Sequence, residues 1–296
     1  MRYGLTFLLL LLVTIILLSN KADTVASLPG YDFSRPDGRL LLPPILHEIS
    51  GITLIDSSTM ACVQDEKGVI YIYDLHSTKI KREIHFGTDG DYEGLCKVNN
   101  TFYVLQSDGI LFEVNQIAGR PLQVKKHLTD LPANNSEGLC YDSKNKRLLI
   151  GVKGKPGKGA QWKDQRLIYA FDLQKKQLSA QPVYTFNLEQ IKQFALKHRI
   201  QLPLKEKKNG ELPVVKLMTS AIGIHPLNDH LYLLSATEHL LYIFNRTGEL
   251  QHIETLRASL FNKAEGITFY ANGDVLISNE GQELRPTLLR FNYLKK

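Results

Sequence analysis

Short apolar segments broken by turn residues run through most of this chain. From the middle of the sixth decade they read Ile52 to Ile55, a turn at Asp56-Ser57-Ser58, Thr59 to Gln64, Gly68, Val69 to Leu75, and Thr78 to His85. Runs this short, rich in Ile, Val, Tyr and Thr and punctuated by Asp, Ser and Gly, predict strands joined by hairpins. Four of them in succession make one antiparallel sheet. The third segment has its own signature, apolar or aromatic residues flanking one intervening position. It recurs as Ile70 to Tyr73, Leu111 to Val114, Ile168 to Phe171, Leu241 to Phe244 and Leu288 to Phe291.

A second phrase repeats independently, ending in Gly followed by Ile or Leu. Its copies are His47 to Ile52, Asp91 to Leu95, Asn135 to Leu139, Ser220 to Ile224 and Lys263 to Ile267, with the glycines 43, 44, 85 and 43 residues apart. A period of this size marks a propeller or another repeat array. The double interval holds only one third-strand signature, so both repeats give five units. The predicted fold is an all-β, five-bladed β-propeller with four-stranded antiparallel blades over residues 34–296. The last unit has no fourth strand of its own, and Gly38 to Pro43 can supply it, closing the ring and removing an open edge. The long interval carries extra length: a Gly/Lys loop from Lys153 to Asp164, and a helix around 188–200 with Ile191, Phe194, Ala195 and His198 at helical spacing, within an insertion at about 187–212.

Ahead of the repeats, Met1-Arg2-Tyr3-Gly4 leads into an uncharged run from Leu5 to Leu18. Residues 1–20 read as one hydrophobic helix, a signal-anchor or a signal peptide with Thr24-Val25-Ala26 as the best cleavage candidate, and 21–33 as a linker. Arg2 stays on the inner side, which places the rest outside the cytoplasm. The expected location is the cell membrane with the propeller facing outward, or the periplasm or exterior after cleavage. Cys62, Cys96 and Cys140 are an odd set without Cys-x-x-Cys spacing, and read as small buried hydrophobes. The net charge of +6 is spread over lysine-rich loops. No helix-turn-helix, zinc finger or aromatic-interleaved basic motif is present, so nucleic acid is not an expected partner.

The candidate chemistry lies in the Gly phrase. Three copies carry Glu before Gly, and if the copies are equivalent strands around one axis, Glu93, Glu137 and Glu265 converge. Carboxylates gathered in a narrow channel repel one another unless they protonate or meet a cation, and oxygen-only ligands suit Ca²⁺. Glu48 stands one position early and joins the set as a further metal ligand or orients His47. Ser50 and Ile222 break the ring. Asp65-Glu66, Ser107-Asp108, Thr237-Glu238 and Ser278-Asn279-Glu280 follow the second strands and should face the same mouth. The alternative is that each Glu accepts backbone hydrogen bonds and staples neighbouring blades. Gly-x-Ser-x-Gly, His-Glu-x-x-His and phosphate-loop motifs are absent, so no catalytic residue is identified.

Leu42-Pro43-Pro44 with Glu48-Ile49-Ser50-Gly51, Asp65-Glu66 with Gly68, Tyr92-Glu93-Gly94, Ser136-Glu137-Gly138 and Ala264-Glu265-Gly266 resemble the SdiA-regulated family of bacterial envelope proteins, and more distantly the NHL-repeat propellers. The resemblance covers about residues 31–296. It implies a five-bladed propeller behind a membrane segment, with a calcium site and no established biochemical activity. Two functions follow. One is a calcium-binding scaffold or binding module recognising an unidentified envelope ligand or protein. The other is a metal-dependent hydrolase of the lactonase or esterase type, in which the cation polarises a carbonyl.

Overall fold

The middle strands are apolar along their whole length rather than alternating, as in Val69–Asp74 and Leu240–Phe244, where every residue is buried. Such strands need cover on both faces. The computed structural model, which describes residues 30–116, 119–132, 135–207 and 210–294, supplies it by standing sheets side by side around an axis. The apolar run Leu5 to Leu18 and the cleavage candidate Thr24-Val25-Ala26 lie outside the described residues. Among the described residues, no helix is long and apolar enough to cross a membrane.

Five antiparallel sheets form the blades. The first comprises Ile49–Leu54, Thr59–Gln64, Val69–Asp74 and Lys79–His85; the second Tyr92–Val98, Thr101–Gln106, Ile110–Asn115 and Gln123–Leu128. In the third, Ser136–Asp142, Arg147–Val152 and Gln165–Asp172 are followed by a fourth strand in two pieces, Gln177–Leu178 and Tyr184–Asn187, both paired to Gln165–Asp172. The fourth holds Ala221–Ile224, Leu231–Ser235, Leu240–Phe244 and Leu250–Thr255. The fifth holds Ala264–Phe269, Val275–Asn279 and Thr287–Phe291, with Gly38–Leu41 pairing antiparallel to Thr287–Phe291. The first strand of each blade packs against the first strand of the next, and the fifth returns to the first.

The core is five apolar layers between blades. Ala61, Val63 and Ile72 meet Leu95, Val104 and Phe112, and Cys96, Tyr103 and Leu105 meet Leu148, Ile150 and Tyr169. Between the fourth and fifth blades the layer also takes in Tyr31 and Phe33. Fully burying one such side chain contributes about 1.5–3 kcal/mol. All three cysteines are buried and free. The helix Leu188–Lys197 is capped by the Asn187 side chain, which accepts from the amides of Glu189 and Gln190. It buries Leu188, Ile191 and Ala195 against the outer strands Tyr184–Asn187 and Leu250–Thr255. It therefore packs on the flank of the ring, away from the channel.

Serines and backbone amides join the blades at the channel. Ser50 Oγ donates to Tyr92 O at 2.6 Å, and Ser220 Oγ to Ala264 O at 2.7 Å. Tyr92, Ser136 and Thr219 amides donate to the carbonyls of Asp65, Ser107 and Lys153 in the preceding blades, at 2.9, 2.9 and 3.1 Å. The Gly of the repeated phrase lets these strands approach. A Cβ at Gly51 would strike the Leu95 amide nitrogen and lie 2.7 Å from Gly94 C, atoms of a neighbouring backbone that cannot move alone. Gly51→Ala is therefore expected to lower stability by about 2–3 kcal/mol. Gly38→Ala, whose Cβ meets only Arg290 Cβ at 3.5 Å, should change the thermal midpoint little, and parallel melts of the two variants provide the check.

Candidate functional site

Each channel glutamate is the extra residue of a β-bulge. Tyr92 pairs with Gln106 and Gly94 with Leu105, so Glu93 is passed over; Glu137 is skipped between Ser136–Val152 and Gly138–Gly151, and Glu265 between Ala264–Asn279 and Gly266–Ser278. A bulge breaks the alternation of the strand and re-aims a side chain. Here all three turn to the axis and line one cavity of about 10 Å³, which is the room one water or one bare ion needs. The fourth blade has Ile222 at this place and no register shift.

Glu137 and Glu265 are deeply buried, 1% and 4% exposed, and Glu93 is half-buried. Burial pushes Glu93 up to about 9, with Glu137, Asp91 and Glu265 adding to it. Burial likewise raises Glu265 to about 8, with Glu137 contributing, and Glu137 to about 7 against the pull of Lys153. These protons belong to the cluster rather than to single residues. None of the three is fixed by a hydrogen bond from a backbone amide among the described residues. The stapling role falls to Ser50 and Ser220 instead.

Two ammonium groups enter the cluster. Lys153 is paired with Glu137 Oε1. Lys263 lies 2.6 and 2.7 Å from the two oxygens of Glu280 and 3.5 Å from Glu265. Its burial opposes the charge, but Glu280 and Glu265 outweigh that and raise it to about 12. Both lysines could have been read from the repeat. Lys263 holds the place of Glu48, Asp91 and Asn135 in the phrase, and Lys153 holds the place of Asp65, Ser107 and Glu280 after the second strand: their amides donate to Glu48, Asp91, Asn135 and Lys263 carbonyls in one shared pattern.

Glu48 is not among the residues that line the channel cavity. It is half-buried beside Asp65, whose carboxyl is raised to about 7 by burial and by Glu48 and Glu280. His47 is exposed and lies against Gly281. Several oxygens around the mouth lack hydrogen-bond partners although buried: Glu137 Oε2, Ser136 Oγ, Ser278 Oγ, Asn279 Oδ1 and Asp65 Oδ1. Among the described residues, no three acidic, His or Cys side chains already surround a common point as a metal cage would. The arrangement is a buried acidic cluster, partly neutralised by two lysines and partly by retained protons.

The sign of the pH dependence follows. A carboxyl whose folded value lies above its ordinary one contributes stability that is complete below about pH 4 and is lost as pH rises, here through about 9. Replacing Glu93 by the neutral isostere removes its share of that loss. In chelator, Glu93→Gln should melt on the order of 5 °C above the native protein at pH 9 and within about 2 °C of it at pH 5. Thermal scans across this range test it, and parallel curves for the two proteins would contradict the buried-proton account.

Comparison with known proteins agrees with this architecture. Glutaminyl cyclase from Myxococcus xanthus superposes with a TM-score of 0.59 at 14% identity, covering 88% of this chain and 97% of that one. The PQQ-bound aldose sugar dehydrogenase from Streptomyces coelicolor superposes with a TM-score of 0.48 at 11% identity, covering 88% and 100%. At such identities the first likeness concerns fold alone, and the second carries no argument. No curated protein matches the sequence. The sequence profile of the SdiA-regulated family matches residues 25–284, most of the chain and all three bulged glutamates. The chain belongs to the SdiA-regulated family.

Proposed function

We propose that this propeller is a binding module of the cell envelope, held at the membrane by its N-terminal apolar segment, whose acidic mouth takes up a divalent cation, calcium first among the candidates. The observation that carries the reading is the trio of bulged carboxylates sharing one ion-sized cavity, of which Glu93 has no ammonium partner among the described residues.

The donor chemistry fits calcium. Glu93, Glu137 and Glu265 would hold the ion, and the unpartnered oxygens of Ser136, Ser278 and Asn279 add neutral donors of the kind this cation accepts in sets of six to eight. When bound, the ion supplies the positive charge that protons and lysines now provide. Glu93 and Glu265 would bind it as carboxylates, losing the protons that burial now holds on them, and Lys153 would compete with it for Glu137, while Lys263 is held by Glu280. Uptake of the ion is thus linked to proton release, and the affinity rises with pH.

A second reading, hydrolysis of a lactone or phosphoester at the same cation, is favoured by Asn279, which pairs with Ala264 next to Glu265 and keeps a buried Oδ1 without a partner. The exposed position of His47 gives that reading no preformed base.

Calorimetric titration of the purified protein with calcium separates the readings. At pH 8 a saturable heat is expected that varies with the ionisation enthalpy of the buffer, reporting about one to two protons released per ion. Glu93→Gln and Glu137→Gln should each weaken binding about tenfold or more. No heat, together with no rise in thermal midpoint at roughly 1 mM calcium, would overturn the cation site. Calcium-dependent turnover of a lactone or phosphoester that vanishes in Glu137→Gln would move the assignment to the hydrolase.

A further inference from the structure

The Gly/Lys loop after the second strand of the third blade, Lys153 to Asp164, builds a second concavity beside the channel mouth. A cavity of about 520 Å³ is lined by Lys153, Lys155 and Lys158 together with Pro132, Pro156 and Met218. That volume is in the range of small-molecule sites. Among the described residues, no Asp or Glu lines it.

The floor of this cavity is anchored. The Lys153 amide donates to Asn135 O at 3.1 Å, and Lys153 O accepts from the Thr219 amide at 3.1 Å, which ties the loop to both neighbouring segments. Pro156 is buried, and Gly154 faces Met218, its Cβ position lying 3.4 Å from Met218 Sδ. Lys153 is already engaged with Glu137, whereas Lys155 and Lys158 form no ion pair among the described residues. Two lysines without an ion-pair partner among the described residues therefore line a cavity that apolar side chains also line.

We propose that this cavity is a binding site for a phosphate monoester with a small apolar body. The phosphate carries about −1.5 to −2 charges at neutral pH, which two lysines balance, whereas a carboxylate would leave one of them unmatched. Lys155 and Lys158 receive the phosphate oxygens, and Pro132, Pro156 and Met218 cover the ester group. Lys155 and Lys158 are not part of the glutamate cluster, whereas Lys153 pairs with Glu137 and also lines this cavity, so the site is tested with the cation kept out.

The chain has one tryptophan, and it reports on this loop. A Cβ at Gly157 would lie 3.1 Å from Trp162 Cδ1, so the indole rests on the loop backbone. The test is titration of the intact protein with phenyl phosphate at constant ionic strength and in chelator, followed by Trp162 emission and by calorimetry, with benzoate as the carboxylate probe. A saturable signal is expected, with benzoate about tenfold weaker or more, and with phenyl phosphate weakened about tenfold or more in the Lys155→Gln/Lys158→Gln double variant. Both lysines are exposed, so an unchanged thermal midpoint verifies that the variant is folded. Silence in both signals, equal affinity for benzoate, or undiminished binding by the double variant overturns the proposal. Because chelator is present throughout, failure of calcium to bind in the channel leaves this result unaffected.

Discussion

Like charges held in a space with room for one water or one ion govern the centre of this protein. Four inner strands bulge at the same place in their repeats, and the bulges of the second, third and fifth blades each deliver a carboxylate to the axis, where the first blade has Ser50. Desolvation favours the neutral form of each one, and neighbouring carboxylates press in the same direction. The protein answers with Lys153, with Lys263 and with protons held well above the ordinary carboxylate range. None of these answers stabilises the ring by itself. Removing one partner from a buried ionic cluster generally costs more than the intact cluster contributes, so cohesion has to come from the apolar layers between blades and from the Ser50 and Ser220 links.

The fourth blade makes the channel one-sided. Ile222 replaces the glutamate, its strand runs without a bulge, and its side chain fills the space left by two glycines of the third blade. A Cβ at Gly151 would lie 2.6 Å from Ile222 Cδ1, and one at Gly138 would strike Ile222 Cγ1. The apolar plug and the two glycines are mutually required. With that side closed, the acids come from the second, third and fifth blades, and the third blade alone also contributes the lysine loop. Acidic and basic recognition surfaces thus meet at Lys153, which pairs with Glu137 inward and lines the loop cavity outward.

Much of this was readable from residues. The Gly-Ile/Leu phrase and the third-strand signature each count five, and five four-stranded blades are what the chain forms. The convergence of Glu93, Glu137 and Glu265 followed from equivalence alone. The bulges did not, because a repeat shows which positions correspond but not that one residue has been inserted into the ladder. The lysines were missed for a different reason. Local charge puts Lys153 in a lysine-rich loop, and Lys263 stands in the Gly phrase with no role assigned, yet their repeat positions coincide with Asp65 and Glu280 in one case and with Glu48 and Asp91 in the other. Glu48 is the converse case: the bulge of its blade falls at Ser50-Gly51, beyond it, and Glu48 lies beside Asp65 at the mouth and not in the cavity. The helix Leu188–Lys197 had the right spacing for an apolar face, but spacing cannot say which surface that face will cover.

The two faces of the ring have different chemistry, and the chain's path assigns them different work. The glutamates stand where the inner strands begin. Tyr31 and Gly30 lie at the opposite face, where Tyr31 contacts Gly273 O in the turn that ends the inner strand of the fifth blade, and the Leu294 amide donates to Gly30 O at 2.8 Å. Tyr31 is held there by Phe33, Tyr232, Tyr293 and the buried His225 ring. The segment preceding the propeller therefore joins it on the face away from the acidic mouth. On the reading that this segment holds the protein at a membrane, the tether leaves from Gly30, and its point of attachment does not compete with ligand for the mouth that carries the carboxylate trio and the lysine loop.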